Sequence, residues 1–307
     1  MIQLSDHFTY GRLLRFTWPS ILMMVFTSIY GVVDGVMVSN FVGTTPFAAL
    51  NLIWPYIAIL GSVGFMLGTG GSALVAKTLG EGFTDKARRL FSMLTYVSLL
   101  VGAVLGAVGY LTTRPVALML GAEGEMVEMS VEYGRILFLC LPFYLLQTFF
   151  QSLLVVAEKP KMGMWVTVGA GVLNMVLDVL FIGVLDWGLK GAAWATGASQ
   201  MVGGLIPLSY FLLQRKESLC LGRMYLDLRA LLKACFNGLS EFVMQISLSI
   251  VSMLYMWQLL RHTGENGVAA YGIMMYFAFT FMAVFIGFNV GSAPIMSYHY
   301  GAGNQSE

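Results

Sequence analysis

Eight runs of apolar residues dominate the chain, at approximately 13–38, 50–76, 90–112, 133–156, 164–185, 189–213, 231–260 and 268–297. A membrane-spanning helix needs about 20 consecutive, mostly apolar residues, and each run meets that length. The links between runs are short, which leaves no room for a separate soluble domain. No run alternates apolar and polar residues with period two, so a β-barrel is not expected. Charged residues make up 11% of the 307, against about 25% in an ordinary soluble domain. The chain therefore reads as an all-α polytopic membrane protein whose first partner is the lipid bilayer. A net charge of +1 with no basic stripe gives no reason to expect nucleic acid.

The first run is too long for the core of a signal peptide, and no small-residue cleavage site follows it. It is expected to be the first spanning helix. Cytoplasmic loops carry an excess of Lys and Arg. With the N-terminus inside, the inner links hold Arg12, Arg15, Lys77, Lys86, Arg88, Arg89, Lys159, Lys161, Arg215, Lys216, Arg223, Arg229 and Lys233. The outer links hold only Arg114, Arg135, Lys190 and Arg261. This split supports both the orientation and the helix count, because one missed helix would scramble it. The outer stretch with Glu123, Glu125, Glu128 and Glu132 is expected to be a solvated loop face. The cysteines Cys140, Cys220 and Cys235 have neither metal-site nor paired spacing, and no disulfide is expected.

The chain carries a weak internal repeat. Phe65–Gly82 aligns with Phe285–Gly303, and Gly71-Ser72-Ala73 then falls on Gly291-Ser292-Ala293. Upstream, Leu13-Leu14-Arg15 falls on Leu231-Leu232-Lys233, and Ala48-Ala49 on Ala269-Ala270. The offset holds at about 220 residues, the length of six helices. An even number of helices returns the chain to the same side, so the repeats are expected to run parallel, related by an axis along the membrane normal. The expected division is a six-helix unit at 1–215 and, at 216–307, the first two helices of an incomplete second unit. On that reading the sequence is a piece of a twelve-helix protein.

Charged groups at the bilayer centre cost about 3 kcal/mol or more, and they usually face a bundle interior or a watery cavity. Three acids lie at such depth: Asp34, Asp178 and Glu241. Tyr30 shares a helix face with Asp34 at i−4, Asn174 shares one with Asp178, and Gln245 shares one with Glu241. No Lys or Arg is placed beside Asp34 or Asp178. Each carboxylate must then hold a proton or bind a cation, and a set of hard oxygen donors suits H⁺ or Na⁺. The bland alternative is a neutral acid hydrogen-bonded between helices. Tyr30, Glu241 and Gln245 are candidates for a substrate site or a second cation site. The 21 methionines suit an adaptable pocket but serve equally well as filler. No phosphate-binding GxxxxGK[ST], no zinc pattern and no nucleophilic triad occurs, so no enzyme and no cofactor are expected.

FTWPSILMMVFTSIYGVVDGVMVSNFVG in the first helix, GTGGSALVAKTLGEG at the end of the second, VVAEKPK after the fourth, Asn174 and Asp178 in the fifth, and GLKGAAWATGASQ in the sixth follow one another in an order and spacing that resembles the multidrug and toxic compound extrusion (MATE) family, in its bacterial branch with an aspartate on the first helix. The resemblance implies two six-helix lobes around a central cavity. It implies efflux of cationic, lipophilic compounds in exchange for H⁺ or Na⁺. The family's N-lobe cation site maps onto Asp34, Asn174, Asp178 and Thr196, and Glu241 matches an acid found on the seventh helix of some members. Two rival readings remain at this point: a lipid-linked oligosaccharide flippase of related fold, and a non-transporting fragment or scaffold.

Overall fold

A computed structural model describes residues 4–214, 219–222 and 225–304. The inner cations Arg215, Lys216 and Arg223 of the charge count lie outside those residues. The described chain is helical throughout: α1 (Tyr10–Met37), α2 (Thr44–Gly80), α3 (Thr84–Met119), α4 (Glu125–Val156), α5 (Pro160–Asp178), α6 (Gly188–Leu213), α7 (Leu228–Asn237) and α8 (Leu239–Ala302). α1 and α5 each continue into a wider π-helical turn, Val38–Val42 and Val179–Val184.

α8 is two spans in one. Gly264 adopts φ 69° and ψ −159°, a left-handed conformation open to glycine, and the helix doubles back there. The Tyr255 and Tyr271 rings stack at 5.5 Å. In a straight helix sixteen residues would separate them by about 24 Å. Asn289 likewise reaches Glu241, 48 positions away. Counting the two halves of α8 separately, and α6, eight segments cross the bundle. Six helices are long and apolar enough to span a bilayer, with α8 counted once. α6 is not among them, because Gly, Ser, Thr and Gln residues packed towards α4 dilute its apolar face. The chain is a multi-pass membrane protein.

The helices outrun the apolar stretches by several residues at most ends, because hydrogen-bonded turns continue past the last apolar side chain. Two local expectations are corrected. The 231–260 run is not one helix: it breaks at Gly238, and the Asp227 carboxylate caps α7 by accepting the N–H groups of Arg229 and Ala230. The acidic 123–132 stretch is largely not a loop. Glu125, Glu128 and Glu132 ride the first turns of α4, where the helix dipole favours negative charge. Glu128 pairs with Arg114 at 2.8 Å and Glu132 with Lys190 at 2.7 Å. Arg135, deeper on α4, lies over the Tyr110 ring at 5.0 Å, so one cation does reach into the helical region, away from any acid at depth.

α4 is the most enclosed of the long helices and packs against α2, α3 and α6. One core gathers Phe91, Phe149, Phe150 and Phe211; Phe91 and Phe211 meet edge to face at 4.7 Å. A second core gathers Phe47, Tyr133 and Phe138 towards the other end. Pro19, Pro55, Pro142 and Pro207 all sit inside helices.

The repeat offset reappears as a contact pattern. A methyl built on Gly80 would strike the Tyr298 carbonyl oxygen, and one built on Gly301 would strike that of Lys77. Each contact becomes the other when an offset of about 221 is applied. Asn51 faces Gly272, its own equivalent. The Thr45 hydroxyl donates to Glu265 Oε2 at 2.6 Å, between near-equivalent positions 220 apart. α2 and the second half of α8 thus meet across a pseudo-twofold axis. The Ser28 and Thr280 hydroxyls, 2.6 Å apart, also join the two repeats, from α1 to the second half of α8. Replacing Thr45 by Val leaves a half-buried carboxylate without its donor. The expected cost is about 1–2 kcal/mol, seen as a lower unfolding temperature of the purified protein, whereas Thr45→Ser retains the wild-type value.

Candidate functional site

A cavity of about 270 Å³ lies where α1, α2, α4, α6 and α8 converge. Aromatic rings make much of its wall: Tyr30, Trp54, Tyr133, Tyr144, Tyr276 and Phe279. Glycines let two of these rings approach neighbouring helices closely. Gly171 on α5 leaves room for Tyr30 and Gly35 on α1 for Tyr276, each of which would clash with a methyl group there. Met24, Met244, Met256 and Met275 supply flexible apolar surface.

Asp34 is on this wall, and behind it lie the acid and amide of α5. Asp178 and Asn174 are fully buried, and Asp34 is 9% exposed. Their positions have a local cause. Asn174 and Asp178 are one turn apart on the face of α5 turned inward, next to Thr167, Ala170 and Gly171, which are also buried. Asp34 and Asp178 are close enough for their charges to interact. Both stand just before a π-helical turn, and these two turns touch each other. In such a turn the N–H of Gly43 reaches back to the Val38 carbonyl and that of Leu185 to the Leu180 carbonyl. The wider turns relax the helices beside the acids, a distortion common at functional sites.

The polar atoms of this group are nearly all acceptors. Asn174 Nδ2 donates to Thr196 Oγ1 at 3.5 Å. Asn174 Oδ1, Asp34 Oδ1 and both Asp178 oxygens accept no hydrogen bond. Buried acceptors without donors are costly. Four of them facing inward on neighbouring helices make a site that a proton or a small hard cation would stabilise. Carboxylate, amide and hydroxyl oxygens are the ligands such an ion prefers. Among the described residues no group of three or more His, Cys, Asp or Glu is placed to hold a metal ion, so any bound Na⁺ would depend on amide and hydroxyl oxygens as well as the two carboxylates.

The structure thus brings Asp34, Asn174, Asp178 and Thr196 together. It puts Tyr30, Glu241 and Gln245 on the cavity wall as well, Tyr30 one turn before Asp34 on α1 and the other two on α8. Glu241 is two residues beyond the start of α8, half-buried, and accepts from Asn289 Nδ2 at 3.1 Å.

Reading the acids alone misses the glutamines. Gln147, Gln151 and Gln200 line the cavity, and Gln147 Oε1 and Gln200 Oε1 also lack donors. Their signal is present in the sequence: Gln147 and Gln151 are one turn apart, and Gln200 is one turn after Thr196. Gly203 leaves the space that the Gln147 side chain fills.

The fold is an all-helical membrane bundle with pseudo-symmetric helix pairs around an acid-bearing cavity. The chain belongs to the MATE family: the MatE family model matches residues 19–180 and 241–307. It is 24% identical over 290 residues to the multidrug export protein MepA of Staphylococcus saprophyticus, covering 94% of this chain and 64% of that protein. It is 23% identical over 292 residues to MepA of Staphylococcus aureus, with 95% and 64% covered. The chain therefore spans a little under two thirds of the length of these curated relatives. Among solved structures it is similar to a ligand complex of the MATE multidrug transporter DinF-BH, with a TM-score of 0.90, 27% identity, and 98% of this chain and 69% of that one covered. It also shares the fold of a MOP superfamily transporter from Pyrococcus furiosus, described by a binding pocket of reverse polarity, with a TM-score of 0.86, 24% identity, and 95% and 65% covered.

Proposed function

We propose that the complete gene product exports cationic, lipophilic small molecules by antiport with H⁺ or Na⁺. The observation that carries this reading is the double position of Asp34. It faces the aromatic cavity, and it also borders the donor-free oxygens of Asn174 and Asp178. A flat cation in the cavity and a coupling ion at the buried cluster would therefore draw on the same carboxylate. Antiport needs its two ligands to compete or to favour different states, and a shared carboxylate supplies the competition. Aromatic faces attract cations, and the multidrug names of the relatives fit the same chemistry.

On this reading residues 1–215 form one lobe and 216–307 begin the second, with the cavity between them. The end bearing Arg12, Lys77, Lys86 and Lys161 faces the cytoplasm, and the protein lies in the cell membrane. The flippase alternative loses ground because a lipid pyrophosphate in the cavity would meet Asp34 and Glu241 and no Lys or Arg among the described lining residues.

The test uses the complete protein in proteoliposomes loaded with ethidium. Efflux should respond to an inward Na⁺ gradient at constant pH, or to a pH gradient without Na⁺, and the responding gradient names the ion. Efflux indifferent to both gradients would overturn antiport.

A further inference from the structure

A larger cavity, about 520 Å³, lies away from the aromatic one, at the end of the bundle where α2 turns into α3. Its walls are the α2–α3 turn, the first turns of α3 and the segment entering α7. Lys86 and Arg89 stand at its rim, and Leu90 and Met93 form a buried apolar floor. The sequence explains the layout. Lys86, Arg88 and Arg89 are the last charges before α3 becomes continuously apolar, so the cavity sits at the level where lipid headgroups meet hydrocarbon.

Two carboxylates also line it, an exposed Asp85 and Asp227, and both keep their charge. Asp85 lies 3.9 Å from Arg88, and Asp227 is occupied in capping α7. Lys86 makes no ion pair among the described residues, and Arg89 makes none either but lies over the Tyr225 ring at 6.0 Å. Lys86 and Arg89 share this wall with Asp85 and Asp227 but make no ion pair with them, and they stand above an apolar floor at headgroup depth, where a phosphate that carries hydrocarbon can take them as partners.

We propose that this cavity binds the phosphate of an anionic phospholipid, with Lys86 and Arg89 as its ligands and the exposed Phe83 ring and the edge of Leu90 beside the first carbons of the lipid. Basic pockets between membrane helices recognise anionic headgroups in this way, and Arg suits phosphate through its planar fork of donors. A free inorganic phosphate presents the same charge but gains nothing from the apolar floor. The inference rests on α3 crossing the membrane and not on the transport reading.

The experiment measures the unfolding temperature of the purified complete protein in detergent with added phosphatidylglycerol, phosphatidylcholine or inorganic phosphate. Wild type, the double variant K86Q/R89Q and the control K190Q, at the opposite end, are compared. Phosphatidylglycerol should raise the wild-type midpoint by about 2–4 °C, with no rise from phosphatidylcholine or inorganic phosphate. K86Q/R89Q should lose most of that rise and K190Q should keep it. An equal rise in wild type and K86Q/R89Q would overturn the site. A rise with inorganic phosphate matching that of the lipid, and lost in the double variant, would overturn the lipid assignment. Because no transport is measured, a failure here is distinguishable from a failure of the antiport reading.

Discussion

Ethidium efflux by the complete protein should fall about tenfold or more when Asp178 is replaced by Asn, while the amount of folded protein in the membrane stays the same. A tenfold loss corresponds to only about 1.4 kcal/mol of altered coupling, well within what one buried ion ligand contributes. The expectation that folding survives follows from the site. Asp178→Asn keeps the volume and gives the position an N–H₂ donor, and the neighbouring Asn174 Oδ1 accepts no bond in the native arrangement. The variant can thus satisfy an atom that the wild type leaves bare, while losing the ability to release a proton or hold a cation. If Asp178 were merely a neutral acid bonded between helices, the same substitution would leave efflux unchanged and cost stability. Asp34→Asn should lose efflux to a similar degree and also weaken retention of the cationic cargo, since Asp34 alone of the pair faces the cavity. Thr196→Val, which removes a neutral ligand, should have a smaller effect than either. Normal efflux in both Asp variants would remove the cluster from the mechanism.

The parts of this architecture that were legible in the sequence are those where membrane physics leaves few alternatives. A bilayer offers no water to unpaired backbone groups, so long apolar runs have to be helices, and the spans follow from hydropathy alone. Asp34 and Asp178 are legible because an acid at that depth is expensive and needs a reason. Of the cavity glutamines only Gln245 stood out, beside Glu241; Gln147, Gln151 and Gln200 did not, because an uncharged amide at depth costs less and only its i+4 partner marks it. The π-helical turns after both acids have no sequence signature at all: Val38–Val42 and Val179–Val184 are ordinary apolar stretches. The break at Gly238 is hidden for another reason. Apolar composition continues across it, and the separation of α7 from α8 depends on the crossing of α2, which is a tertiary contact. The acids at 123–132 read as a loop because charge density was weighed without the cations of neighbouring helices. Arg114 and Lys190, remote in sequence, are what make a helical start at Glu125 favourable there.

The second large effect is expected at the glycines where the equivalent helices cross. A methyl on Gly70 would overlap the Ala234 carbonyl oxygen and press on the Gly238 nitrogen. A methyl on Gly291, which follows Gly70 by about the repeat offset, would come within 3.0 Å of Thr17 Cα. Thr17 and Ala234 are themselves about one offset apart, so the two crossings are copies of one contact. At Gly70 the obstacle is backbone, which cannot swing aside as a side-chain tip can; at Gly291 it is the Thr17 Cγ2 methyl at 2.9 Å together with Thr17 Cα. Without a hydrophobic force to hold helices together in lipid, close backbone approach supplies much of the packing energy. Gly70→Leu and Gly291→Leu should each abolish the monodisperse peak of the detergent-solubilised protein in size-exclusion chromatography, with overpacking costing about 3 kcal/mol or more per site. Gly11→Leu, where a methyl meets nothing within 4 Å, should elute as wild type. A normal peak for Gly70→Leu would mean that this crossing is looser than its geometry, and that the cavity walls are positioned by other contacts. Loss at Gly70 with a normal peak at Gly291 would mean that the copies are geometric only. Loss at both would make the paired crossings the clamp that holds α1 and α8, and with them Asp34 and Glu241, at a fixed distance across the cavity.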